Sequence, residues 1–471
     1  MADFGGWMPD LPPHGHDGLV VARNVFPGLL GYEPLKSLAA ITASMSEDWQ
    51  GGGAFDDLAG GSVLLSGGNS GLYSYSSGAW TSKYTASPAA GSKWFMAQFG
   101  DTVIATHGGA PVKYTLSTAT GAALGASPPD ASMVAIVRDF VFLAGDSSAR
   151  STVTWSAVNN AEGWTVGTGQ CDEQLIPDGG DITGLAGGEY GIVFQRNAIS
   201  VFEYVGSPLI FTRRKVSDTI GCVTHGSIAQ AGKMVFFLSS RGFYMFNDGE
   251  LTPIGRDKVD RTFFGSYSTL NIEGSIRAAI EPNLNLVIWS MPDRLWIYNW
   301  GVDKWSEVTS SGIVAVTTGR TGYMTLADLA AEYPGGNDTV PYGTDDPLFQ
   351  GGEPTLLIAK SDDALYAFGG TSLFPATMQM VKVEAYPGQD AHVRAVRPIG
   401  DVVDGITVNM DARARLGDSA TRTTTTDLRN NGDMPVLARG RYIQPEIALT
   451  EDANWTFMQG LEVQGEAGGA L

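Results

Sequence analysis

The feature of this 471-residue sequence that most constrains its fold is a hairpin pattern that recurs along the chain. Each copy has a near-continuous apolar run, a turn rich in Gly, Ser or Asp, and a second run in which apolar and polar residues alternate. The first six copies begin about forty to fifty residues apart, which is the spacing of propeller blades. The copies begin at Val63, Thr102, Phe140, Ile192, Met234, Leu286 and Leu356.

This repeat predicts an all-β chain whose central part is a β-propeller. A single four-stranded blade cannot bury both of its faces, whereas blades stacked around an axis cover one another and leave only short edges. We expect about seven blades, with six or eight also compatible with the pattern. A β-helix would need a shorter and more regular period.

Composition supports many short strands and narrows the function classes. The 61 glycines, 11 tryptophans and 16 tyrosines suit tight turns and half-buried strands, and we expect the tryptophans to pack between blades. The formal charge of −20 argues against a protein that grips nucleic-acid phosphates with clustered Lys and Arg. Cys171 and Cys222 are expected to be buried and unpaired. No signal peptide is visible, and Arg138 and Asp139 interrupt the longest apolar run, so we expect no membrane insertion.

The repeat divides the sequence into three predicted regions. Residues 1–60 form an extended N-terminal arm and a connecting loop around EDWQGGGAFDD, and residues 61–377 form the propeller. Residues 378–471 lack the repeat and form an additional C-terminal β-sandwich or barrel. This last region concentrates the arginines Arg394, Arg397, Arg413, Arg415, Arg422, Arg429, Arg439 and Arg441.

Candidate chemistry is sparse. His14 and His16, followed by Asp17, could supply metal ligands, but two imidazoles on an arm are more often solvated or packed. The acidic pairs Asp56-Asp57, Asp345-Asp346 and Asp362-Asp363 are interpreted as turn residues, and the turn GGND at 335–338 occurs only once. The stretch SYSSGAW lacks the aspartate of the repeated turns in sialidase propellers. We therefore predict no catalytic residues, no metal, no cofactor and no enzymatic activity.

A resemblance to a known family adds to this interpretation. From residue 9 the sequence PDLPPHGHDGLVVARNVFPGLLGYEPLKSL resembles the opening of tail-hub, or nozzle, proteins of short-tailed bacteriophages, also called DNA-stabilisation or head-completion proteins. TWSAVNNAEGWTVG and the segment that begins RRKVSDTIGCVTHG are similar to the middle of that family. GRYIQPEIAL and WTFMQGLEVQGEAGG are similar to its end, so the resemblance spans nearly the whole chain.

The resemblance implies a structural virion protein, made in the bacterial cytoplasm and located in the tail. Members form a ring, typically a homohexamer, below the portal and adaptor, and receive a plug or needle and fibres or spikes below. The ring retains packaged double-stranded DNA and conducts it at ejection without sequence-specific binding. An acidic channel wall suits this role because it repels phosphate, and we expect acidic residues to be enriched on the lumen face.

Two other functions stay open: a carbohydrate-binding or glycan-hydrolysing propeller that acts on the host surface, and a generic scaffold that binds proteins. Convergent Asp, Glu and Arg side chains at one end of the axis would favour the glycan function. In the nozzle interpretation the arm packs along its own or a neighbouring subunit, so its deletion up to residue 18 should weaken ring assembly, while a chelator should have no effect. The candidate subunit or partner contacts are Pro12, Pro13, His14, His16, Arg23, Tyr32, Arg413, Arg415, Arg439 and Arg441.

Overall fold

A computed structural model describes residues 2–57, 61–320 and 354–468 of the chain. The acidic pair Asp345-Asp346 and the turn at 335–338 lie outside these residues. Within them the protein is built almost entirely from β-strands, as the repeat predicts.

The N-terminal segment forms short strands before the propeller begins. Rather than one continuous arm, these strands enter three different sheets. The strands are β1 (Ala2–Asp3), β2 (Leu19–Arg23), β3 (Val25–Gly28), β4 (Gly31–Pro34) and β5 (Lys36–Ala40).

Seven four-stranded blades follow in the described ranges, so the propeller predicted from the repeat is confirmed. Blades one to three are β6 (Gly51–Asp56), β7 (Ser62–Gly67), β8 (Gly71–Ser76) and β9 (Ala79–Thr85); β10 (Phe95–Phe99), β11 (Thr102–Thr106), β12 (Val112–Thr115) and β13 (Thr120–Ala123); and β14 (Met133–Val137), β15 (Phe140–Ala144), β16 (Thr152–Trp155) and β17 (Asp172–Leu175). Blades four and five are β18 (Ile182–Ala186), β19 (Gly191–Gln195), β20 (Ile199–Gly206) and β21 (Ile210–Ser217); and β22 (Ala229–Ala231), β23 (Met234–Ser239), β24 (Gly242–Asn247) and β25 (Glu250–Pro253). Blades six and seven are β26 (Arg277–Glu281), β27 (Leu286–Met291), β28 (Arg294–Asn299) and β29 (Lys304–Thr309); and β30 (Ile313–Arg320), β31 (Pro354–Lys360) and β32 (Leu365–Leu373) completed by β5.

The seven hairpins found in the sequence are the second and third strands of the seven blades. The second strand is buried on both faces, which explains its near-continuous apolar character: all of Phe140–Ala144 and all of Leu286–Met291 are buried. Trp155, Trp289, Trp296 and Trp305 are fully buried, as expected for tryptophans packed between blades.

The ring closes through the N-terminal segment. Strand β5 pairs antiparallel with β32, with Ala40 opposite Tyr366 and Lys36 opposite Leu373, and it supplies the outer strand of blade seven. The inner strand β30 of this blade lies against β6 of blade one. The closing strand ties the chain start to the last blade, and so leaves no open edge between blades one and seven.

The propeller starts earlier than the sequence indicates, because the stretch predicted to be a loop contains its first strand. Gly51–Asp56 is the inner strand β6, paired with β7. Here glycine permits close approach: a Cβ at Gly51, whose φ is +151°, would lie 2.1 Å from the carbonyl oxygen of Trp94.

The C-terminal region forms a β-sandwich together with the N-terminal strands. One sheet has the order β3-β4-β40-β35-β38, with β1 also paired to β40. The other continues β29 of blade six through β2, β33, β39, β36 and β37, with β34 also paired to β39, so ten strands share one sheet. The C-terminal strands are β33 (Ala376–Met380), β34 (Val383–Glu384), β35 (Ala391–Gly400), β36 (Ile406–Arg413), β37 (Thr421–Thr425), β38 (Met434–Gly440), β39 (Tyr442–Leu449) and β40 (Met458–Ala467).

Two short helices connect blades five and six: α1 (Asp260–Ser266) and α2 (Thr269–Ser275). Both oxygens of the Asp10 carboxylate accept hydrogen bonds from the start of α1, from the backbone N–H groups of Arg261 and Thr262 at 2.7 Å each. The N-terminal segment is therefore fixed to the propeller as well as to the sandwich. In the described ranges no helix has both the length and the apolar character needed to span a membrane.

Candidate functional site

The exposed part of the N-terminal segment carries four of the predicted contact residues. Pro12, Pro13 and His14 are exposed, and the carbonyl of Pro13 accepts a hydrogen bond from the backbone N–H of Lys382 at 2.8 Å. The imidazole of His16 holds the local turn: its Nδ1 accepts from the N–H of Gly18 at 3.0 Å, and its Nε2 lies 2.9 Å from the carbonyl oxygen of Pro12. This part of the segment packs along its own subunit, and among the described residues no three His, Cys, Asp or Glu side chains are grouped to hold a metal ion.

Arg23 lies where β2 joins blade six to the sandwich, a region that we call the junction. Its Nε donates to the buried carboxylate of Glu307 at 2.9 Å, and Arg294 donates to the other oxygen of Glu307 at 2.8 Å. The adjacent Asn24, with φ of +59°, receives a hydrogen bond at its Oδ1 from the N–H of Thr309 and donates from its Nδ2 to the carbonyl of Pro375. The Arg-Asn pair of the sequence motif therefore holds the junction together.

Tyr32 cannot be a partner contact in this fold, because its side chain is fully buried in the chain's own core. Its hydroxyl donates to the carbonyl of Gly5 at 3.1 Å, and burial raises the pKa of the phenol well above its usual range. The prediction that Tyr32 contacts a partner is corrected by the structure: the motif tyrosine packs β4 against the start of the chain.

Most sandwich arginines are held in ion pairs within the sandwich. Arg413, largely buried, donates to Gln444 at 3.1 Å. Arg439 pairs with the buried Asp390 at 3.1 Å, and Arg441 pairs with Glu384 at 2.7 Å. Arg415 is exposed, and its backbone N–H donates to Asp418. Of these four candidates, Arg415 is the one whose side chain is presented freely at the surface of the described chain.

Of the two acidic pairs in the described residues, Asp362-Asp363 occupies a turn, as predicted, whereas Asp56 belongs to a strand. Asp56-Asp57 end the inner strand of blade one, and Asp362-Asp363 form the turn between β31 and β32. Asp363 accepts a hydrogen bond from the backbone N–H of Trp49 at 3.0 Å, which links that turn to the loop before blade one. Cys171 and Cys222 are both buried and free, as expected.

A cavity of about 920 Å³ lies along the propeller axis, and we call it the axial cavity. The inner strands of all seven blades line it, and small or apolar side chains predominate. Its wall includes Gly53, Ala97, Ala135, Ile228, Ile280 and Val316. Small residues are required here because seven inner strands converge on one axis.

Three side chains meet at one end of the axial cavity. Phe95, the first residue of blade two, reaches across the axis to the imidazole of His225, with ring centroids 4.4 Å apart. The guanidinium of Arg277, the first residue of blade six, lies 5.2 Å from the centre of the same phenyl ring. Phe95 and His225 also line a second cavity of about 340 Å³, the mouth cavity, so they form the wall between the two.

Arg277 is the charged residue of this cluster. Its side chain is buried, with the whole residue 7% exposed, and one N–H donates to the carbonyl of Ile276 at 2.6 Å. Burial lowers the pKa of the guanidinium to about 10, so it stays charged at neutral pH. Burial is the main cause that lowers the pKa of His225 to about 3, and the positive charge of Arg277 adds to it. This imidazole is therefore neutral, and its Nδ1 accepts a hydrogen bond from the N–H of Leu185.

The mouth cavity on the other side of Phe95 is polar. Lys93, Arg196 and Glu273 line it, and Arg196 and Glu273 form an ion pair at 2.8 Å. Burial is the main cause that lowers the pKa of Lys93, and the positive charge of Arg277 adds to it. The Lys93 ammonium donates a hydrogen bond to the side-chain oxygen of Gln50 at 2.8 Å. Among the described lining residues Glu273 is the one carboxylate, whereas glycoside hydrolysis ordinarily uses two.

Sequence reasoning did not find Arg277 or Phe95. Neither belongs to a motif, and Arg277 lies in an ordinary strand sequence, RAAIE. The one sequence signal for Arg277 is a charged residue at the start of an inner strand. Inner strands, however, have the least distinct apolar pattern of the repeat.

Comparison with known proteins gives only distant structural similarities. No family model and no curated protein matches the chain. Among solved structures, the chain is similar to the extracellular domain of the putative hybrid two component system BT4673 from B. thetaiotaomicron (9% identity, TM-score 0.44, 89% of this chain and 47% of that one). It is also similar to PorZ of Porphyromonas gingivalis (12%, 0.40, 83% and 46%) and to BamB from Moraxella catarrhalis (13%, 0.39, 74% and 96%). The chain thus spans less than half the length of the first two.

Proposed function

We propose that this chain is a non-enzymatic structural subunit of a short-tailed phage tail, one of several that form a ring-shaped nozzle below the portal and adaptor. The observation that carries the proposal, beside the sequence resemblance, is the construction of the junction. The family-like motif residues Arg23, Asn24 and Tyr32 join propeller and sandwich through one ten-stranded sheet and one shared core. A propeller and sandwich joined in this way form one rigid unit, which suits a ring subunit that must keep its shape while DNA passes.

The closed axis supports a passage for DNA between subunits. The axial cavity is narrow and crossed by Phe95, and a double helix is far wider than a cavity of about 920 Å³ allows. In the proposed ring the propellers surround the conduit, and the genome does not pass through any one of them.

The distribution of charge supports a conduit whose wall does not bind the phosphates of the passing DNA tightly. The chain has a net charge of −20, and most of the densely spaced arginines of the sandwich are neutralised by its own carboxylates. Few guanidinium groups therefore remain to bind phosphates, and DNA meets no deep electrostatic wells. The expected partners are further copies of the chain, the adaptor above, and a plug or needle with fibres or spikes below.

Measurement of particle mass and shape tests this proposal. Mass photometry of the purified chain should give a closed assembly of several 49.8 kDa subunits, and electron microscopy should show a ring with a hole wide enough for duplex DNA. In the same buffer at physiological salt, free duplex DNA should not bind to the isolated ring. A chain that remains monomeric with or without its neighbouring tail proteins, and that releases sugars from host glycans, contradicts the proposal.

The glycan-acting propeller is the less favoured alternative. Arg196, Arg277 and Glu273 do gather at one end of the axis, which is the arrangement that this alternative requires. Glu273, however, is engaged by Arg196, and a second carboxylate is not among the described lining residues. A hydrolytic mechanism would therefore lack one of its two acidic groups.

A further inference from the structure

We propose that the axial cavity is a binding site for a small organic carboxylate, with Arg277 as the group that binds the carboxylate. This inference is independent of the proposed tail function, because it rests on the interior of one propeller.

The first argument is the missing counter-charge of Arg277. Within the described residues no carboxylate lies within ion-pair distance of this guanidinium, although every other strongly buried charge discussed above has a partner. Five N–H groups are available on a guanidinium, and one is used by the carbonyl of Ile276. Burial of a charge is costly unless it is paired, and the Phe95 ring compensates only part of that cost.

The second argument is that the surrounding backbone leaves room for the guanidinium. Gly226 lies directly beside it, and a Cβ at this position would be 2.5 Å from Nη1 of Arg277 and 2.5 Å from the carbonyl oxygen of Ile276. The side chain therefore occupies a cradle in which any larger residue would displace it. It borders the axial cavity rather than a solid core.

The third argument concerns the class of ligand. A guanidinium presents a planar fork that matches the two oxygens of a carboxylate. The inner strand of each blade is paired with a blade strand on one side only, and its other edge lies towards the axis. Apart from Arg277 and the neutral His225, the described wall has no ionisable side chains. A ligand with one carboxylate and an apolar body fits a cavity of this volume and lining.

Calorimetric titration of the purified full-length chain with sodium benzoate tests the site, with benzamide as the uncharged analogue and sodium phosphate as the inorganic anion. Benzoate should bind saturably and raise the unfolding temperature. Benzamide and phosphate should bind at least about tenfold more weakly, since benzamide lacks the charge and phosphate lacks the apolar body. Hexanoate serves as a second probe of different shape.

Substitution at Arg277 identifies the binding group. Arg277→Met should weaken benzoate binding about tenfold or more without lowering the unfolding temperature of the unliganded chain, because an unpaired buried charge is removed. The matched control is Arg150→Met, an exposed arginine paired with Asp181, which should bind benzoate as the original chain does. Should Arg277→Met fail to fold, Arg277→Lys keeps the charge and should still weaken binding several-fold through loss of the fork.

Three outcomes would overturn the proposal: wild-type protein that binds neither benzoate nor hexanoate at millimolar concentration, benzamide binding equal to benzoate binding, or unchanged benzoate affinity in the Arg277 variants.

Discussion

At the junction between propeller and sandwich, the carboxylate of Glu307 receives hydrogen bonds from Arg23 and Arg294, whereas at the propeller axis Arg277 has no carboxylate partner among the described residues. Both regions lie in blade six, and both place arginine beside tightly packed aromatic rings. The junction uses its arginines to bind two parts of the same chain. The axis keeps a guanidinium beside a cavity, where a ligand can reach it.

The difference teaches how to separate structural from functional arginines in this protein. An arginine paired with a buried carboxylate contributes to stability, because its removal leaves that carboxylate buried without a partner. An arginine without a counter-charge adds little to folding, so its presence at a cavity needs another explanation. The predictions below test the two regions against each other.

The largest effect is expected when the packing of the junction is removed. Trp7 is 3% exposed, its ring lies 5.4 Å from that of Trp296, and its Nε1 donates to the carbonyl of Val20 at 3.0 Å. Trp7→Ala should lower the free energy of unfolding by about 3–5 kcal/mol, measured by denaturant titration. Deletion of residues 1–18 removes Phe4 as well and should cost more, so it would impair the subunit itself and not only ring assembly.

The half-buried Trp80 provides the matched control for this experiment. Its Nε1 donates to the carbonyl of Ala43 at 2.9 Å, but its ring lies at the edge of blade one. Trp80→Ala should cost clearly less than Trp7→Ala. Equal losses would show that the N-terminal segment is not a special support of the junction.

The sequence predicted the propeller well and the junction poorly, for physical reasons. Second and third blade strands, such as Phe140–Ala144, carry a local apolar pattern, and all seven were located. The inner strand Gly51–Asp56 reads as a loop in the sequence, because close approach at the axis selects glycine and erases the apolar pattern. The pairing of Leu19 with Met380 joins distant parts of the chain, and no local pattern encodes it. Arg277 carried no signal, since its importance depends on what surrounds it.

The next largest effect compares the charges of the two regions directly. Glu307→Gln leaves Arg23 and Arg294 without their shared carboxylate, and we expect a loss of about 2–3 kcal/mol in the free energy of unfolding. Arg277→Met should cause no comparable loss. The control is Glu466→Gln, which removes an exposed ion pair with Arg394 and should cost less than about 1 kcal/mol. If Arg277→Met destabilises as strongly as Glu307→Gln, the contrast between the two regions fails.

A smaller effect is expected from overfilling the packing around Trp94, a residue that lines the axial cavity. A Cβ at Gly67 would lie 2.0 Å from the Trp94 ring, which is held by a hydrogen bond from its Nε1 to the carbonyl of Gly68. Gly67→Ala should therefore cost about 1–3 kcal/mol, read from thermal or denaturant unfolding. Gly53→Ala in the same blade is the control, because a Cβ at Gly53 would lie 3.4 Å from its nearest neighbour, the Thr317 hydroxyl. Similar costs for both variants would contradict the close-packing argument.

The smallest effect concerns a carboxylate outside the junction, in the helical connection between blades five and six. Asp260, at the start of α1, accepts a hydrogen bond from the N–H of Phe243 at 3.0 Å. Burial raises the pKa of the Asp260 carboxyl to about 6 from an ordinary value of 3.8. The hydrogen bond from Phe243 opposes this rise, and the negative charge of Asp10 adds to it. Between these two pH values the folded chain holds a proton that the unfolded chain has released. Stability from this group therefore falls as pH rises through about 4 to 6 and stays lower above it.

Asp260→Asn should remove that dependence while its amide oxygen still accepts from Phe243. Unfolding free energies measured at pH 4 to 7 should show a slope for the original chain that is shallower in the variant, with a gain of about 1 kcal/mol at pH 7 after allowance for partial solvent screening. Asp218→Asn, at an exposed position, should leave the slope unchanged. An unchanged slope in Asp260→Asn would mean that solvent or Arg256 compensates this carboxylate, so that Asp260, like Glu307 of the junction and unlike Arg277 at the axis, is a neutralised charge.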